Sequence, residues 1–133
     1  MTQCGHEEPV LAPNIQSLIG TWRLVGPDST KGTTLKFALD TANPPLDITP
    51  FNASGKASVN SYTLRLYATL DGTLSADHLG YTDMAGSQES MKYEQTYFKN
   101  LNAVARFELP KPNQLRLYHG GELPHVMEYE RQN

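Results

Sequence analysis

The chain has 133 residues, 38% of them hydrophobic and 19% charged, which suits one domain with one core and not a disordered segment. A net charge of −3 without any run of Lys and Arg speaks against nucleic-acid binding. The single cysteine, Cys4, excludes an intrachain disulfide, and no apolar run reaches the ~20 residues of a membrane-spanning helix.

Residues 1–16 carry two prolines, two adjacent acids and no periodicity, so they read as a flexible N-terminal tether, with the domain running from 17 to 133. They show no basic segment followed by an apolar one, so no signal peptide is expected in the sequence as written. From Ser17 the pattern turns strand-like. Leu18, Gly20, Trp22 and Leu24 fall on one face, and Gly26-Pro27-Asp28 ends the strand with turn chemistry. Thr33–Ala38 is a second strand with Leu35 and Phe37 on one side. After the Pro44-Pro45 loop, Leu46–Phe51 reads as a short third strand, interrupted by Pro50 and so expected at an edge or a bulge. Ser54-Gly55 reads as a turn.

The clearest alternation follows. Tyr62, Leu64, Leu66, Ala68 and Leu70 share one face, while Thr63, Arg65, Tyr67 and Thr69 share the other. Asp71-Gly72 signals a hairpin with positive φ at both central residues, and Thr73–Gly80 returns as the paired strand. The period then changes. Ser87–Leu101 is helical, with Ser87 as N-cap, Glu89 in the first turn, and Met91, Gln95, Phe98 and Leu101 on one face. Ala105, Phe107 and Leu109 alternate again, as do Leu115 and Leu117, and Met127 and Tyr129 close the chain. About eight or nine strands with hairpin-length links imply antiparallel pairing. The fold class expected is α+β: a highly curved antiparallel sheet or small β-barrel of about eight strands, with one helix packed on it.

No set of residues points to catalysis. There is no G-x-S-x-G and no phosphate-binding glycine loop, and Asp47, Asp71, Asp77, Asp83 and Glu128 read as surface acids. His119, Glu122 and His125 come nearest to a metal constellation, but Gly120-Gly121 and Pro124 forbid a helix that would align them, so a polar turn is the expectation. No cofactor and no metal are expected. Most aromatic side chains are expected in the core. Tyr67 and Tyr118, opposite the leucine faces, are candidates for an exposed binding patch.

Several segments in order carry a family resemblance. They are G-T-W-R-L at Gly20–Leu24, S-G-K-A-S-V-N-S-Y at Ser54–Tyr62, L-D-G-T-L at Leu70–Leu74, T-D-M-A at Thr82–Ala85, the helix with Glu94 and Leu101, and N-Q-L-R-L at Asn113–Leu117. Together they resemble the META domain, the family that includes the bacterial heat-shock protein HslJ. The motif positions are Trp22, Gly55, Asn60, Thr82 and Met84. Gly55 is expected to supply a turn that a Cβ would obstruct, and Asn60 and Thr82 to satisfy backbone groups where strands bend. Many members carry cysteines where this chain has Val59 and Gly86. Both are absent here, which is coherent if the family pair is a cross-link, and no redox role is carried over.

The resemblance implies an envelope or secreted location, often as a lipoprotein, with links to stress and drug tolerance. It implies no established catalytic residues and no common cofactor. On that basis Cys4 is a candidate lipidation site and the N-terminus a candidate membrane tether. Two functional readings stay open, beside the default of a hydrolase or other enzyme, since fold does not fix function. One is a non-enzymatic cell-envelope domain with a protein partner. The other is a calycin-like carrier of a small apolar ligand, suggested by G-T-W-R-L near the start and E-Y-E-R near the end. The late position of the helix stands against the carrier.

Overall fold

A computed structural model of the chain describes residues 13–26, 29–40, 48–120 and 125–132. The strands are β1 (Gly20–Gly26), β2 (Thr34–Leu39), β3 (Ile48–Lys56), β4 (Ser61–Thr69), β5 (Leu74–Tyr81), β6 (Val104–Lys111), β7 (Gln114–His119) and β8 (His125–Gln132). A short helix α1 (Pro13–Gln16) precedes them, and the main helix α2 (Gln88–Asn102) lies between β5 and β6 in sequence. All eight strands join one antiparallel sheet in the order β5-β4-β3-β2-β1-β8-β7-β6.

The sheet is an α+β half-barrel, strongly curled. Its first and last strands in spatial order approach each other at one place, where Thr73 bridges Arg106 and the Phe107 amide donates to Gly72 O at 2.8 Å. The inward residues of successive strands form one core, which includes Trp22, Phe37, Phe51, Leu66, Leu117 and Tyr129. Helix α2 adds its 94-97-98-101 stripe, the i, i+3, i+4, i+7 face of a 3.6-residue period. That stripe corrects the sequence expectation at one position: Gln95 is exposed, and Glu94 and Tyr97 are buried in its place. Ser87 caps the helix by accepting from the Ser90 amide at 3.0 Å.

Three other expectations change. The lead-in expected to be irregular through residue 16 becomes helical at Pro13–Gln16, because Ile15 and Leu18 are buried and Leu18 O accepts Trp22 Nε1 at 3.0 Å. Arg131 lies 4.3 Å from the Trp22 ring centroid and donates to Ile19 O and Ser17 O, fastening this segment to β8. Next, β3 is an interior strand that runs through both Pro50 and Ser54-Gly55. Pro50 O accepts the Asp40 amide, so the missing Pro50 N–H faces the end of β2, where the ladder stops. The turn comes later, where the Ala57 amide donates to Asn60 O at 2.9 Å. Lastly, the β4–β5 turn has positive φ only at Gly72 (93°), with Asp71 accepting from the Thr73 amide.

Candidate functional site

The densest polar arrangement joins the β3–β4 turn, the segment after β5 and helix α2. Glu94 is 3% exposed. Its Oε2 accepts the backbone N–H groups of Ser58, Val59 and Asn60 at 3.1, 2.7 and 2.8 Å, and its Oε1 accepts Asn60 Nδ2 at 2.7 Å. Burial by itself raises the Glu94 pKa, but the hydrogen bonds from Asn60, Val59 and Ser58 outweigh it and hold the carboxyl below the ordinary glutamate range.

Asn60 uses its whole amide. Nδ2 also donates to Met84 O at 3.1 Å, while Oδ1 accepts Thr82 Oγ1 at 2.7 Å and the Met84 amide at 2.6 Å. Thr82 Oγ1 in turn accepts the Ser61 amide at 3.2 Å. The side chain of Asn60 thus pairs with the Met84 backbone as a strand would, and the Met84 side chain is left 53% exposed.

Inside the curl, three hydroxyls form a chain. Tyr62 donates to Thr34 O, Tyr97 lies 2.8 Å from the Tyr62 hydroxyl, and Tyr129 lies 2.9 Å from that of Tyr97. Burial pushes all three phenols up, so they stay neutral and the buried oxygens are satisfied by one another. Gly55 makes room for this chain. A Cβ there would sit 2.1 Å from Thr34 O and 2.8 Å from the Tyr62 hydroxyl, so the expected turn role becomes one of close approach within a strand.

The outer face of the sheet carries Tyr67 and Tyr118. Both are half-buried, with the guanidinium of Arg65 5.7 Å from the Tyr67 ring and that of Arg106 4.6 Å from the Tyr118 ring. They lie on β4 and β7, with β3, β2, β1 and β8 between them in the sheet order. The same outer face carries an open depression of about 520 Å³ across β2 to β5, with Lys36, Arg65 and His78 among its lining residues.

Residues 16–132 match the META domain family. The chain belongs to that family. It is also similar to a protein from Burkholderia xenovorans solved by NMR, with a TM-score of 0.64, 21% identity and 97% of each chain covered. At that identity the likeness speaks to the fold alone. Among curated proteins, none matches the chain.

Within this META domain the five motif residues do different jobs. Trp22 is fully buried and donates to Leu18 O, Gly55 admits the tyrosine chain, and Asn60, Thr82 and Met84 build the junction with Glu94. Val59 and Gly86, the positions of the family cysteines, are neighbours: a Cβ on Gly86 would lie 3.6 Å from Val59 Cβ. That separation matches the Cβ···Cβ distance of disulfides.

His119 and His125 face each other across β7 and β8, their ring centroids 5.4 Å apart. Burial and the neighbouring His125 push the His119 pKa down. Glu122, Cys4 and Asp47 lie outside the described residues. Among the described residues no three His, Cys, Asp or Glu side chains group as metal ligands. The helical spacing puts Glu94 on α2 but does not give its role. The available signal was an acid at helical spacing from Tyr97, Phe98 and Leu101. No local signal marks the depression, because its residues come from four strands.

Proposed function

We propose that this META domain is a non-enzymatic module of the bacterial cell envelope that acts by binding a protein partner on its outer surface. The observation that carries this reading is the filled interior. Tyr97 and Phe98 of α2 occupy the space inside the curl, and Tyr62, Tyr97 and Tyr129 are each no more than 3% exposed. A calycin-like carrier would need that space for its ligand. The polar junction is then best understood as a rigid support. It holds Met84 and the neighbouring Tyr81, 53% and 57% exposed, at the surface, with the Tyr81 ring stacked 4.4 Å from that of Phe98 of α2. Exposed apolar side chains on a braced segment suit a partner contact. Family membership supports the envelope setting, and lipidation at Cys4 would supply the tether.

Native mass spectrometry of the protein recovered from its own envelope fraction, set against the denatured mass, tests the reading. A protein complex that weakens in a Tyr81→Ser/Met84→Ser variant supports it. A stoichiometric small adduct lost on denaturation would sink it in favour of the carrier, and absence from the envelope fraction would sink the location.

A further inference from the structure

The inner row shared by β7 and β8 ends in a pair of imidazoles. Register sets Leu115 against Tyr129, Leu117 against Met127 and His119 against His125. The first two pairs belong to the core, and the third stands where the two strands leave it. His119 is 6% exposed and His125 is exposed. Directly opposed side chains on antiparallel strands lie within reach of each other, and here the ring centroids are 5.4 Å apart.

The small exposure that His119 keeps includes its ring nitrogens. Neither nitrogen has a hydrogen-bond partner among the described residues, and neither is sealed from solvent, since Arg65 Nε is the one buried side-chain nitrogen or oxygen left unpartnered. The ring is thus packed on its carbon edges and open at its polar ones. Burial and the neighbouring His125 push its pKa down, so the imidazole is neutral at neutral pH and one nitrogen keeps a lone pair to give.

The spacing of the pair suits a shared metal ion. An ion about 2.1 Å from one nitrogen of each ring lies about 3 Å from each centroid, and a tetrahedral angle then sets the centroids about 5 Å apart. The rings stand 22° from parallel, so their in-plane lone pairs meet once one ring turns about χ2. That torsion is soft, and His125 at the surface has room to turn. The end of α2 adds a favourable field. Val104, the strand partner of His119, follows the Ala103 cap directly, and the Gly120 amide donates to Ala103 O at 3.1 Å. The partial negative charge of a helix C-terminus favours a cation beside it.

We infer that His119 and His125 chelate a divalent transition-metal ion of the zinc class through one imidazole nitrogen each, leaving its other positions to water or to a donor from a bound molecule. Imidazole suits such ions and not Mg²⁺ or Ca²⁺, which take oxygen ligands. The site draws on β7 and β8 and not on the segment of Tyr81 and Met84, so either reading can fail without the other.

The test is an NMR titration of the full chain with zinc chloride at neutral pH, following the Cε1–H signals of the histidine rings. Cys4→Ser removes the one thiol of the sequence as a competing ligand. The His119 and His125 signals are expected to move along one saturable curve and to ignore Mg²⁺. His125→Gln should weaken the response of His119 about tenfold or more. His125 is exposed, so that variant keeps the fold and its remaining spectrum. Four results would overturn the inference: no saturable response up to about 1 mM Zn²⁺, separate curves for the two rings, the same response to Mg²⁺, or undiminished binding at His119 in the His125→Gln variant.

Discussion

The side chain of Asn60 lies between the Glu94 carboxylate and the Met84 backbone, donating one hydrogen to each from the same Nδ2. Three chain segments far apart in sequence meet through this one amide. The consequences for stability are sharp, because Asn60 and Glu94 are both buried and a buried polar group left without its partner is costly.

Asn60→Asp keeps the shape of the side chain and removes both donors. It sets a second carboxylate against Glu94 and against Met84 O. A loss of about 3 kcal/mol or more is expected in urea unfolding at neutral pH. A loss under about 1 kcal/mol would mean the junction is not the brace described above.

The pH dependence follows from Glu94. Its folded pKa is depressed, because the bonds from Asn60, Val59 and Ser58 outweigh the opposing effect of burial. A group depressed on folding contributes stability that is fully present above its unfolded pKa and is lost as pH falls through the folded one. Wild-type stability should therefore fall on acidification below the ordinary glutamate range. Glu94→Gln should be weaker at neutral pH and should approach the wild type in acid. Unfolding midpoints measured between about pH 3 and pH 7 check this; parallel curves would refute it.

Gly55→Ala tests close approach without any question of backbone strain, since Gly55 is not among the residues of positive φ. The new methyl would meet Thr34 O and the Tyr62 hydroxyl. Overpacking and the lost hydrogen bond together should cost about 2–4 kcal/mol, read from thermal or urea unfolding.

Restoring the family's cysteines as Val59→Cys with Gly86→Cys should form a disulfide under mild oxidation. Gly86→Cys alone should destabilise, because its Cβ would lie 2.7 Å from Val59 Cγ2. The double variant removes that methyl and, once oxidised, should gain about 3 kcal/mol over its reduced form. Free thiols persisting after oxidation, by thiol titration, would contradict the neighbour relation.

Leu66→Ala reports on the filled interior. Leu66 is fully buried in the common core, so the change should cost about 2–5 kcal/mol. A much smaller loss would indicate that the side chain borders a cavity, as a carrier would require.

Much of the fold was legible from local pattern. The alternation at Tyr62–Ala68, the glycine at 72 and the Ser87 cap each depend on neighbours a few residues away, so the sequence carries them directly. The places where the sequence misled are those that depend on distant partners. Ser54-Gly55 has the composition of a turn, yet lies inside β3 because β2 and β4 pair along both sides of it. Pro50 looked like a mark of an edge and stands in an interior strand, because its lost donor falls where β2 has ended.

Family motif positions could be recognised in the sequence, while their partners could not. Nothing near Glu94 in the chain shows that three amides and an Asn60 side chain converge on it from 34 to 36 residues away. The hollow at Lys36, Arg65 and His78 likewise exists only once register sets β2 to β5 side by side. Composition and periodicity determined that this chain forms an antiparallel sheet with one main helix, since burying alternate apolar side chains is a local requirement. Which polar groups meet across that sheet was decided by tertiary structure alone, because register and curl are properties of the assembled strands.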